Sequence, residues 1–367
     1  MQRSWPPTSR RGLLAATGAA LLAVRARPVR AMAEEHLAYV AGGKGITLFH
    51  VNTGNGAMTR LSVAAPKTVS WLACNQPGHM LYAVAPGEPD GSVSTFAIEH
   101  GSGALTRRNS VGARGPAPGH VAVHPSNRFV LVAHAGGGVA VFPVDDSGAL
   151  GEASDMQGQA VASAPCGMVA ADPQGRFILA TDAAADRLLR YSLDVTTGKL
   201  APAGDPVAVA PGSAPGRFVF APKGRMLYVL HERTGIVASY DYDADTAALK
   251  PVQQVSVLPP GYAGAVSASD LAITADGRFL YASVRVHDAI AVFAVGEGGR
   301  LTPIGEAWTR ADGPASFTVS PDGSTLFACD TLAGTITSFR ISRLSGAVDF
   351  VGKFAAVEQP TCMVFAG

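Results

Sequence analysis

The chain has 367 residues, of which 47% are hydrophobic, 42 are Gly and 25 are Pro. This composition supplies a large core and many turns, so it excludes a disordered chain and favours a turn-rich all-β protein. Six of the 29 Lys and Arg residues, and none of the 28 Asp and Glu residues, lie in the first 33 positions. The remainder has 23 basic and 28 acidic residues, a net charge of −5, which argues against nucleic acid or an anionic membrane as the main partner.

The first 33 residues have the features of an export signal. Ser9-Arg10-Arg11-Gly12-Leu13-Leu14 resembles the twin-arginine motif, and an apolar stretch (12–24) and a small-x-small site, Ala31-Met32-Ala33, follow it. Thirteen apolar residues are too few to span a bilayer as a helix. The sequence therefore predicts a twin-arginine signal at 1–33 and a bacterial periplasmic or secreted protein at 34–367. An ordinary secretory signal with a chance Arg-Arg pair is the alternative.

A unit of about 48 residues recurs along the rest of the chain. Each copy has an apolar run, a Pro-x-Gly type of turn, a second apolar run, an alternating strand and a weaker fourth strand. Its clearest copies begin at His124, Asp172, Ala221, Thr274 and Ser320, and a weaker one spans Asn75 to Val84. A period of this length with strand-sized apolar runs is typical of a β-propeller with one blade per repeat.

The number of inner runs predicts the number of blades. Seven such runs start near Val69, Gly119, Gly167, Arg217, Asp270, Ser316 and Cys362. The C-terminal segment 359–367 is an inner strand with nothing after it, and the segment 36–63 supplies outer strands with no inner strand before them. Joining the two in one blade closes the ring and removes exposed sheet edges. We therefore expect one all-β domain, a seven-bladed β-propeller of four-stranded antiparallel blades.

The four cysteines, Cys74, Cys166, Cys329 and Cys362, lack the CxxC spacing of a zinc site. Most of them fall in predicted strands, so we expect buried free thiols, with a disulfide as the alternative.

The connectivity of such a blade places two sets of residues on one face of the ring. These are the first residues of the inner strands and the loops between the second and third strands, and the channel mouth that they form is the default binding site. The inner strands contribute His120, Cys166, Arg217, Asp270 and Ser316. The loops contribute His134, Asp182, Asp186, His231, Glu232, Arg285, His287, Asp288 and Asp330.

These candidates differ in how easily a structural role explains them. The four aspartates occupy what we take to be equivalent loop positions, where Asp commonly caps a turn. His134 and His287 fit surface loops. Arg217 and Asp270 interrupt apolar strands, where burial without a partner is costly, so they either pair with each other or with Glu232, or serve a ligand. Neither Glu232 nor Arg285 is required by a loop, and for both of them, as for His120, a functional role is as well supported as a structural one.

Several of these segments resemble the seven-bladed lactonase family, which includes propeller-type 6-phosphogluconolactonases and carboxy-muconate cyclases. The resemblance covers essentially the whole mature chain. Tyr228-Val229-Leu230-His231-Glu232 is similar to the family's Y-V-x-N-E, and the segment from Asp276 to Arg285 is similar to its D-G-R-F-L-Y-V-S-N-R. Gly119-His120-Val121 and Ser269-Asp270-Leu271 correspond to its C-H-V and A-E-I.

Three family motifs are altered in this chain. The family's P-H-x-H is Pro165-Cys166-Gly167-Met168, its G-P-R-H is Ala214-Pro215-Gly216-Arg217, and its P-R-x-F is Pro314-Ala315-Ser316-Phe317. Two histidines are therefore missing from the first motif, a histidine from the second and an arginine from the third.

The resemblance implies a lactonase-like hydrolase that opens a small sugar or related lactone. In this hypothesis Glu232 is the base that activates a water, with His120 as the alternative base. Arg285 and Arg217 stabilise the oxyanion or hold an anionic substituent, and Asp270 orients an arginine or the water. No cofactor and no metal is required, although Glu232 and Asp270 could contribute two ligands to a divalent ion. We expect a monomer with a small-molecule lactone or sugar-acid ligand. The alternatives are a propeller that only binds a ligand or protein, and a muconate-cyclase-like lyase.

Overall fold

The computed structural model describes residues 35–64, 67–87, 89–160 and 167–366. The predicted export signal lies outside these ranges. Within them the apolar runs form 29 β-strands, and one short 3-10 helix, Glu297–Gly299, lies between two of the strands. The described part of the chain contains no helix with the length and apolar character needed to cross a membrane.

The strands form seven antiparallel sheets, which we number as blades in chain order and describe from the innermost strand outward. Blade 1 contains β29 (Cys362–Phe365), β1 (Glu35–Gly42), β2 (Gly45–Asn52) and β3 (Ala57–Ala64). Blade 2 contains β4 (Trp71–Cys74), β5 (Met80–Ala85), β6 (Ser92–Ile98) and β7 (Leu105–Gly112). Blade 3 contains β8 (Pro118–Val123), β9 (Phe129–His134), β10 (Val139–Pro143) and β11 (Asp155–Gln157).

The remaining four blades follow the same plan. Blade 4 contains β12 (Val169–Ala171), β13 (Phe177–Asp182), β14 (Arg187–Asp194) and β15 (Lys199–Pro202), and the short β16 (Val207–Ala208) also pairs with β14. Blade 5 contains β17 (Pro215–Phe220), β18 (Met226–His231), β19 (Ile236–Tyr242) and β20 (Leu249–Ser256). Blade 6 contains β21 (Ala268–Ile273), β22 (Phe279–Val284), β23 (Ala289–Val295) and β24 (Leu301–Trp308). Blade 7 contains β25 (Pro314–Val319), β26 (Thr325–Asp330), β27 (Thr335–Ile341) and β28 (Val348–Ala356).

The two ends of the chain meet in blade 1. The last strand, β29, pairs antiparallel with β1 in a register that runs from Ala38 opposite Phe365 to Ala41 opposite Cys362. The innermost strand of this blade therefore comes from the C-terminus and its three other strands come from the N-terminus. The predicted seven-bladed ring and its mode of closure are confirmed.

The repeated turn between the first two strands explains the Gly of the repeat motif. The third residue of the turn adopts a left-handed backbone, with φ of +72° at Gly277 and +70° at Gly323. Glycine takes this conformation without steric cost. In blade 3 the same place is held by Asn127, with φ of +56°, because Asn tolerates the left-handed region better than most residues.

The Tyr of the repeat joins one blade to the next. Tyr39, Tyr82, Tyr228 and Tyr281 are fully buried in the second strands of their blades. Each donates its hydroxyl to the carbonyl oxygen of a glycine in the outer turn of the following blade, as Tyr228 does to Gly299 at 3.1 Å. In blade 7 Phe327 stands at the Tyr position, and Ser338 donates to the equivalent carbonyl of Gly56 at 2.8 Å instead. These hydrogen bonds tie together five of the seven pairs of neighbouring blades.

Candidate active site

The face of the ring on which the innermost strands begin, here called the mouth face, also carries the loops between the second and third strands. On each innermost strand, or just before it in blade 4, one residue lies opposite the second-to-last residue of the neighbouring strand, as His120 does opposite Ala133 and Arg217 opposite Leu230. We call this the ring position. The register, together with the hydrogen bonds that tie Met168 to Thr181 and Asp270 to Ser283, places seven residues there: Trp71, His120, Met168, Arg217, Asp270, Ser316 and Cys362.

A β-bulge precedes the ring position or includes it in four of the seven blades. The register shifts between Pro118 and His120, between Pro215 and Arg217, between Ala268 and Leu271, and between Pro314 and Ser316. A bulge adds one residue to one strand of a pair and re-aims the side chains beside it, which is why bulges occur next to active sites. The same device therefore places His120, Arg217, Asp270 and Ser316 at the mouth.

Neighbouring blades are also tied together at the ring position. The Asp270 Oδ2 accepts a hydrogen bond of 3.0 Å from the backbone N–H of Phe317, one residue past the ring position of the next blade. The Cys362 Sγ accepts one of 3.2 Å from Leu72, and the Met168 Sδ accepts one of 3.5 Å from Phe218. These three side chains therefore each have a structural function in joining neighbouring blades.

Arg217 reaches from blade 5 to blade 2. Its guanidinium carbon lies 4.2 Å from the centre of the Trp71 ring, a cation–π distance, and the Trp71 and His120 rings lie 5.1 Å apart. Its Nε and Nη1 are buried and have no hydrogen-bond partner among the described residues, and the same holds for Nδ1 of His120. Burial, and to a smaller degree the charge of Arg217, lower the pKa of His120 well below its ordinary value. The mouth therefore presents a cation and a neutral imidazole with unused hydrogen-bonding capacity.

Glu232 and Arg285 are the first residues after the second strands of blades 5 and 6. The Glu232 N–H donates to Ala214 at 2.9 Å and the Arg285 N–H donates to Ser267 at 2.7 Å, so the two backbones are held in equivalent ways. The Glu232 carbonyl also accepts from Ala268 of the neighbouring blade at 2.9 Å. The structure thus brings both residues to the mouth face on adjacent blades.

The Glu232 carboxylate lies against the bulged Gly216. A methyl group at Gly216 would lie 1.9 Å from Oε1 of Glu232, so only glycine leaves room for the carboxylate in this place. Burial raises the pKa of Glu232, and the nearby Asp270 acts in the same direction, while Arg217 and Arg285 oppose the rise. Glu232 is therefore a half-buried carboxylate whose proton affinity is above that of an ordinary Glu, although three arginines, Arg217, Arg285 and Arg233, act to lower it.

Asp270 is buried and uses both carboxylate oxygens to accept backbone N–H groups, from Leu271 at 2.9 Å and from Phe317 at 3.0 Å. Burial raises its pKa to about 6, against the opposing effect of Arg217. Among the described residues, Arg217 forms no ion pair at contact distance with Asp270 or Glu232. The two carboxylates act on Arg217 at longer range, so the alternative in which these residues simply pair with each other is wrong.

The other acidic candidates fall into two positions, not the single one we expected. Asp186 and Asp288 have left-handed backbones and cap the approach to the next blade, with Asp288 accepting from Gly313 at 2.9 Å. Asp182 and Asp330 end their second strands. Asp182 pairs with Arg187 at 2.8 Å, whereas Asp330 accepts only from Thr337, and burial raises its pKa to about 7. Asp182 also caps its own loop by accepting from the backbone N–H of Ala185 at 3.1 Å, so capping accounts for three of the four aspartates and Asp330 is the exception.

The remaining candidates have structural surroundings. His231 pairs with Ser213 at 2.9 Å. The expectation of a surface loop for His134 is wrong, because His134 ends β9 and is fully buried, and that burial lowers its pKa to about 4. Cys329 and Cys362 are buried free thiols, as expected, whereas Cys74 is a free thiol that is only half-buried, and Cys166 lies outside the described residues. No group of three or more His, Cys, Asp or Glu residues in the described ranges is arranged to hold a metal ion.

Sequence reasoning missed Trp71 and Gly216. Trp71 lies two residues after Val69, where an inner run was predicted, but the repeat before it is the weakest in the chain, so its ring position was not evident. The Pro-Gly pair before both His120 and Arg217 is a signal that could have revealed the bulges.

Comparison with known proteins agrees with this architecture. The model of the family described as lactonase, 7-bladed beta-propeller, matches residues 36–365. The chain is 29% identical over 341 residues to a 6-phosphogluconolactonase of Bacillus subtilis, covering 89% of this chain and 96% of that protein. It is 26% identical over 320 residues to a 6-phosphogluconolactonase of Formosa agariphila, covering 81% and 88%.

Among solved structures, the periplasmic gluconolactonase of Pseudomonas aeruginosa is similar with a TM-score of 0.84 and 23% identity, covering 91% of this chain and 99% of that one. At this identity the likeness supports the fold. The family model covers nearly all of the described propeller, and the chain therefore belongs to the seven-bladed β-propeller lactonase family.

Proposed function

We propose that the protein is a lactonase-like hydrolase that opens a small sugar lactone at the mouth face, with Glu232 as the general base. The observation that carries the proposal is the placement of Glu232 on Gly216, where burial raises its pKa and two arginines lie nearby. A carboxylate with a raised pKa is a better proton acceptor near neutral pH, provided that it is still ionised there.

In this scheme a water molecule donates a proton to Glu232 as its oxygen attacks the carbonyl carbon of the lactone. Negative charge develops on the carbonyl oxygen, and fixed cations are the usual means of stabilising it. Arg217 is suited to this role because two of its nitrogens have no hydrogen-bond partner among the described residues. When the tetrahedral intermediate collapses, the ring C–O bond breaks and the ring oxygen receives the proton from Glu232. The product is the open-chain hydroxy acid.

Arg285 and Asp270 have supporting roles in the proposal. Arg285 lowers the pKa of Glu232, which keeps this carboxylate ionised, and it is the second candidate to bind the carbonyl oxygen or a substituent. Asp270 is held by two backbone N–H groups, so its charge is fixed in place. That charge orients Arg217 through the electrostatic attraction between them.

The charges around the mouth favour a lactone without a phosphate group. Arg217, Arg285 and, more weakly, Arg233 act on Glu232, and Arg217 also acts on Asp270, so the two carboxylates balance two of the three cations. On the neighbouring blade, Asp288 and Asp312 both raise the pKa of Asp330, which indicates a concentration of negative charge beside the site. A phosphate would be repelled there.

The test is an assay of the mature protein on D-glucono-1,5-lactone and its 6-phosphate, beside Glu232→Gln and Arg285→Ala. We expect hydrolysis above the spontaneous rate, with higher kcat/KM for the unphosphorylated lactone. Each variant should lose at least about tenfold in kcat/KM. If no lactone in a wider panel is hydrolysed, the propeller is a binding module and the proposal fails. If the variants match the parent, the residue assignment is wrong.

We further propose that residues 1–33 direct export by the twin-arginine route and that the mature protein is a monomer. The sequence of the leader supports the first point. The combined substitutions Arg10→Lys and Arg11→Lys should leave the full-length precursor inside the cell, whereas an ordinary secretory signal would tolerate them. Light scattering on the mature protein tests the monomer.

A further inference from the structure

An aromatic cluster lies on the mouth face beside Arg285 and has no role in the scheme above. We call Tyr262, His287, Trp308 and Glu306 the rim cluster. The His287 ring lies between the other two aromatic rings, 5.1 Å from that of Tyr262 and 4.8 Å from that of Trp308. Its Nε2 lies 3.1 Å from a carboxylate oxygen of Glu306. Four side chains from three separate segments therefore hold one another in a fixed arrangement.

The rim cluster is built on the segments that carry the proposed catalytic residues. His287 is two residues from Arg285 in the loop between β22 and β23. The Arg285 N–H donates to Ser267, which ends the long connection that carries Tyr262. Tyr262 folds back to donate its hydroxyl to Ala265 at 3.0 Å, and Gly264 leaves room for the ring. A ligand that touches both places would therefore remain on blade 6.

Position along the blade separates the rim cluster from the site of hydrolysis. Arg285 follows the second strand of blade 6, whereas Trp308 ends the fourth strand and pairs with Ala289. Two strand spacings amount to about 10 Å. A single sugar ring does not bridge that distance, but a disaccharide does.

The chemistry of the rim cluster fits a neutral sugar. Trp308 remains 51% exposed, so a large flat apolar surface faces solvent beside a carboxylate. A pyranose has the matching character, with an apolar C–H face and hydroxyl groups at its edge that donate to a carboxylate. A cleft of about 720 Å³ between blades 5 and 6 is lined by Tyr262 and Glu306 but not by Trp308, so a ring stacked on Trp308 would lie beside this cleft and not within it.

We propose that the rim cluster is a subsite for a second sugar ring, so that the substrates include lactones of disaccharide acids. This inference rests on the proposed lactonase activity for its functional meaning, but the binding itself can be measured without hydrolysis. The reacting ring would lie at Arg285, on the side toward Glu232, and the second ring would stack on Trp308 with its hydroxyls toward Glu306.

Two measurements test the subsite. The first is kcat/KM for cellobiono-1,5-lactone and for glucono-1,5-lactone in the parent, Trp308→Ala, Trp308→Phe and Leu344→Ala. Leu344 is 87% exposed in the loop between β27 and β28, on the opposite face, and serves as the matched control. We expect Trp308→Ala to lower kcat/KM about tenfold for the disaccharide lactone only, as loss of one aromatic anchor commonly does. Trp308→Phe should retain most of the activity, and Leu344→Ala should leave kcat/KM unchanged for both lactones.

The second measurement is calorimetric binding of methyl β-cellobioside, which has no lactone to open. Binding that Trp308→Ala weakens at least fivefold supports the subsite, even if the protein hydrolyses no lactone at all, in which case only the proposed function fails. The subsite is overturned if Trp308→Ala lowers kcat/KM equally for both lactones, if the glycoside does not bind, or if the substitution instead changes the oligomeric state.

Discussion

Blades 3 and 5 have the same backbone at the mouth and different chemistry. Both innermost strands begin with Pro-Gly, both carry a bulge at that glycine, and both pair the proline with a histidine that ends the second strand. Blade 3 then presents His120 at the ring position and the buried Ala135 after its second strand. Blade 5 presents Arg217 and Glu232 in the corresponding places.

The difference shows how this fold can acquire or lose an active site. In blade 5 the bulged Gly216 contacts a carboxylate, whereas no acidic side chain is available at the same place in blade 3 because Ala135 stands there. The bulge is thus a feature of the scaffold, and two side chains per blade decide the chemistry. Replacing residues in the two blades tests whether the base is Glu232 of blade 5 or His120 of blade 3.

The largest effect should come from replacing each of the two candidate bases in turn. Glu232→Gln should lower kcat about a hundredfold or more, the usual range for loss of a general base, and should leave the melting temperature nearly unchanged. His120→Gln should lower kcat by less than about tenfold, because Glu232 remains. Steady-state kinetics on the best lactone found measures both. The reverse order of effects would make His120 the base and blade 3 the reactive one.

A smaller but more diagnostic effect is expected from Gly216→Ala. The added methyl group would occupy the place of the Glu232 carboxylate, so the carboxylate must move, and kcat/KM should fall by roughly tenfold to a hundredfold. The φ of Gly216 is not in the left-handed region, so alanine introduces no backbone strain there.

Gly296→Ala is the matched control for that substitution. The nearest atom to its new methyl group would be the Arg300 carbonyl oxygen, at 3.6 Å, an ordinary contact. Activity that survives Gly216→Ala would show that the position of Glu232 against this glycine is unimportant.

The sequence predicted the fold and the face of the site better than it predicted the contacts within the site. The period, the Gly of the turn and the incomplete terminal units were sufficient to predict seven blades and their closure. The same connectivity placed Glu232, Arg285, Arg217, Asp270 and His120 on one face. These are consequences of strand order, which a repeat makes visible.

The contacts depend on features that strand order does not determine. A bulge shifts the register by one residue, so the spacing between motifs predicted the equivalence of Cys362 and Arg217 but did not reveal that Trp71 and Met168 share their ring position. The reach of Arg217 across the ring to Trp71 depends on side-chain length and on the width of the channel. The sequence did not separate the four aspartates into two groups, because the two loop positions lie only a few residues apart.

The charge of Arg217 should be visible in the pH dependence of the reaction. Arg217 lowers the pKa of Glu232 against the effect of burial, so Arg217→Met should raise that pKa. Because the base must be ionised, the acidic limb of the kcat/KM profile should move to higher pH, and the plateau should fall about tenfold. Arg225→Met, a substitution of an exposed arginine in the turn before β18, is the control. An unchanged acidic limb in Arg217→Met would mean that Glu232 is not the titrating base.

The smallest effect should be on stability, at Asp330 of blade 7. Its pKa is raised to about 7 in the folded protein, chiefly by burial, from an ordinary value of 3.8. At low pH the carboxyl is protonated in both states and costs nothing. As the pH rises toward 7 the unfolded chain ionises first, so the free energy of unfolding falls, and above that pH the loss is complete.

Asp330→Asn removes this ionisation, and it keeps an oxygen to accept from Thr337. The variant should therefore be more stable than the parent by roughly 2 kcal/mol at pH 8, which corresponds to a few degrees in Tm. At pH 4 the two proteins should melt together. Thermal unfolding followed by circular dichroism at both pH values measures the difference. An equal gain at both pH values would show that the carboxyl is not destabilising through its charge, and the negative field that we invoke against phosphorylated lactones would lose its support.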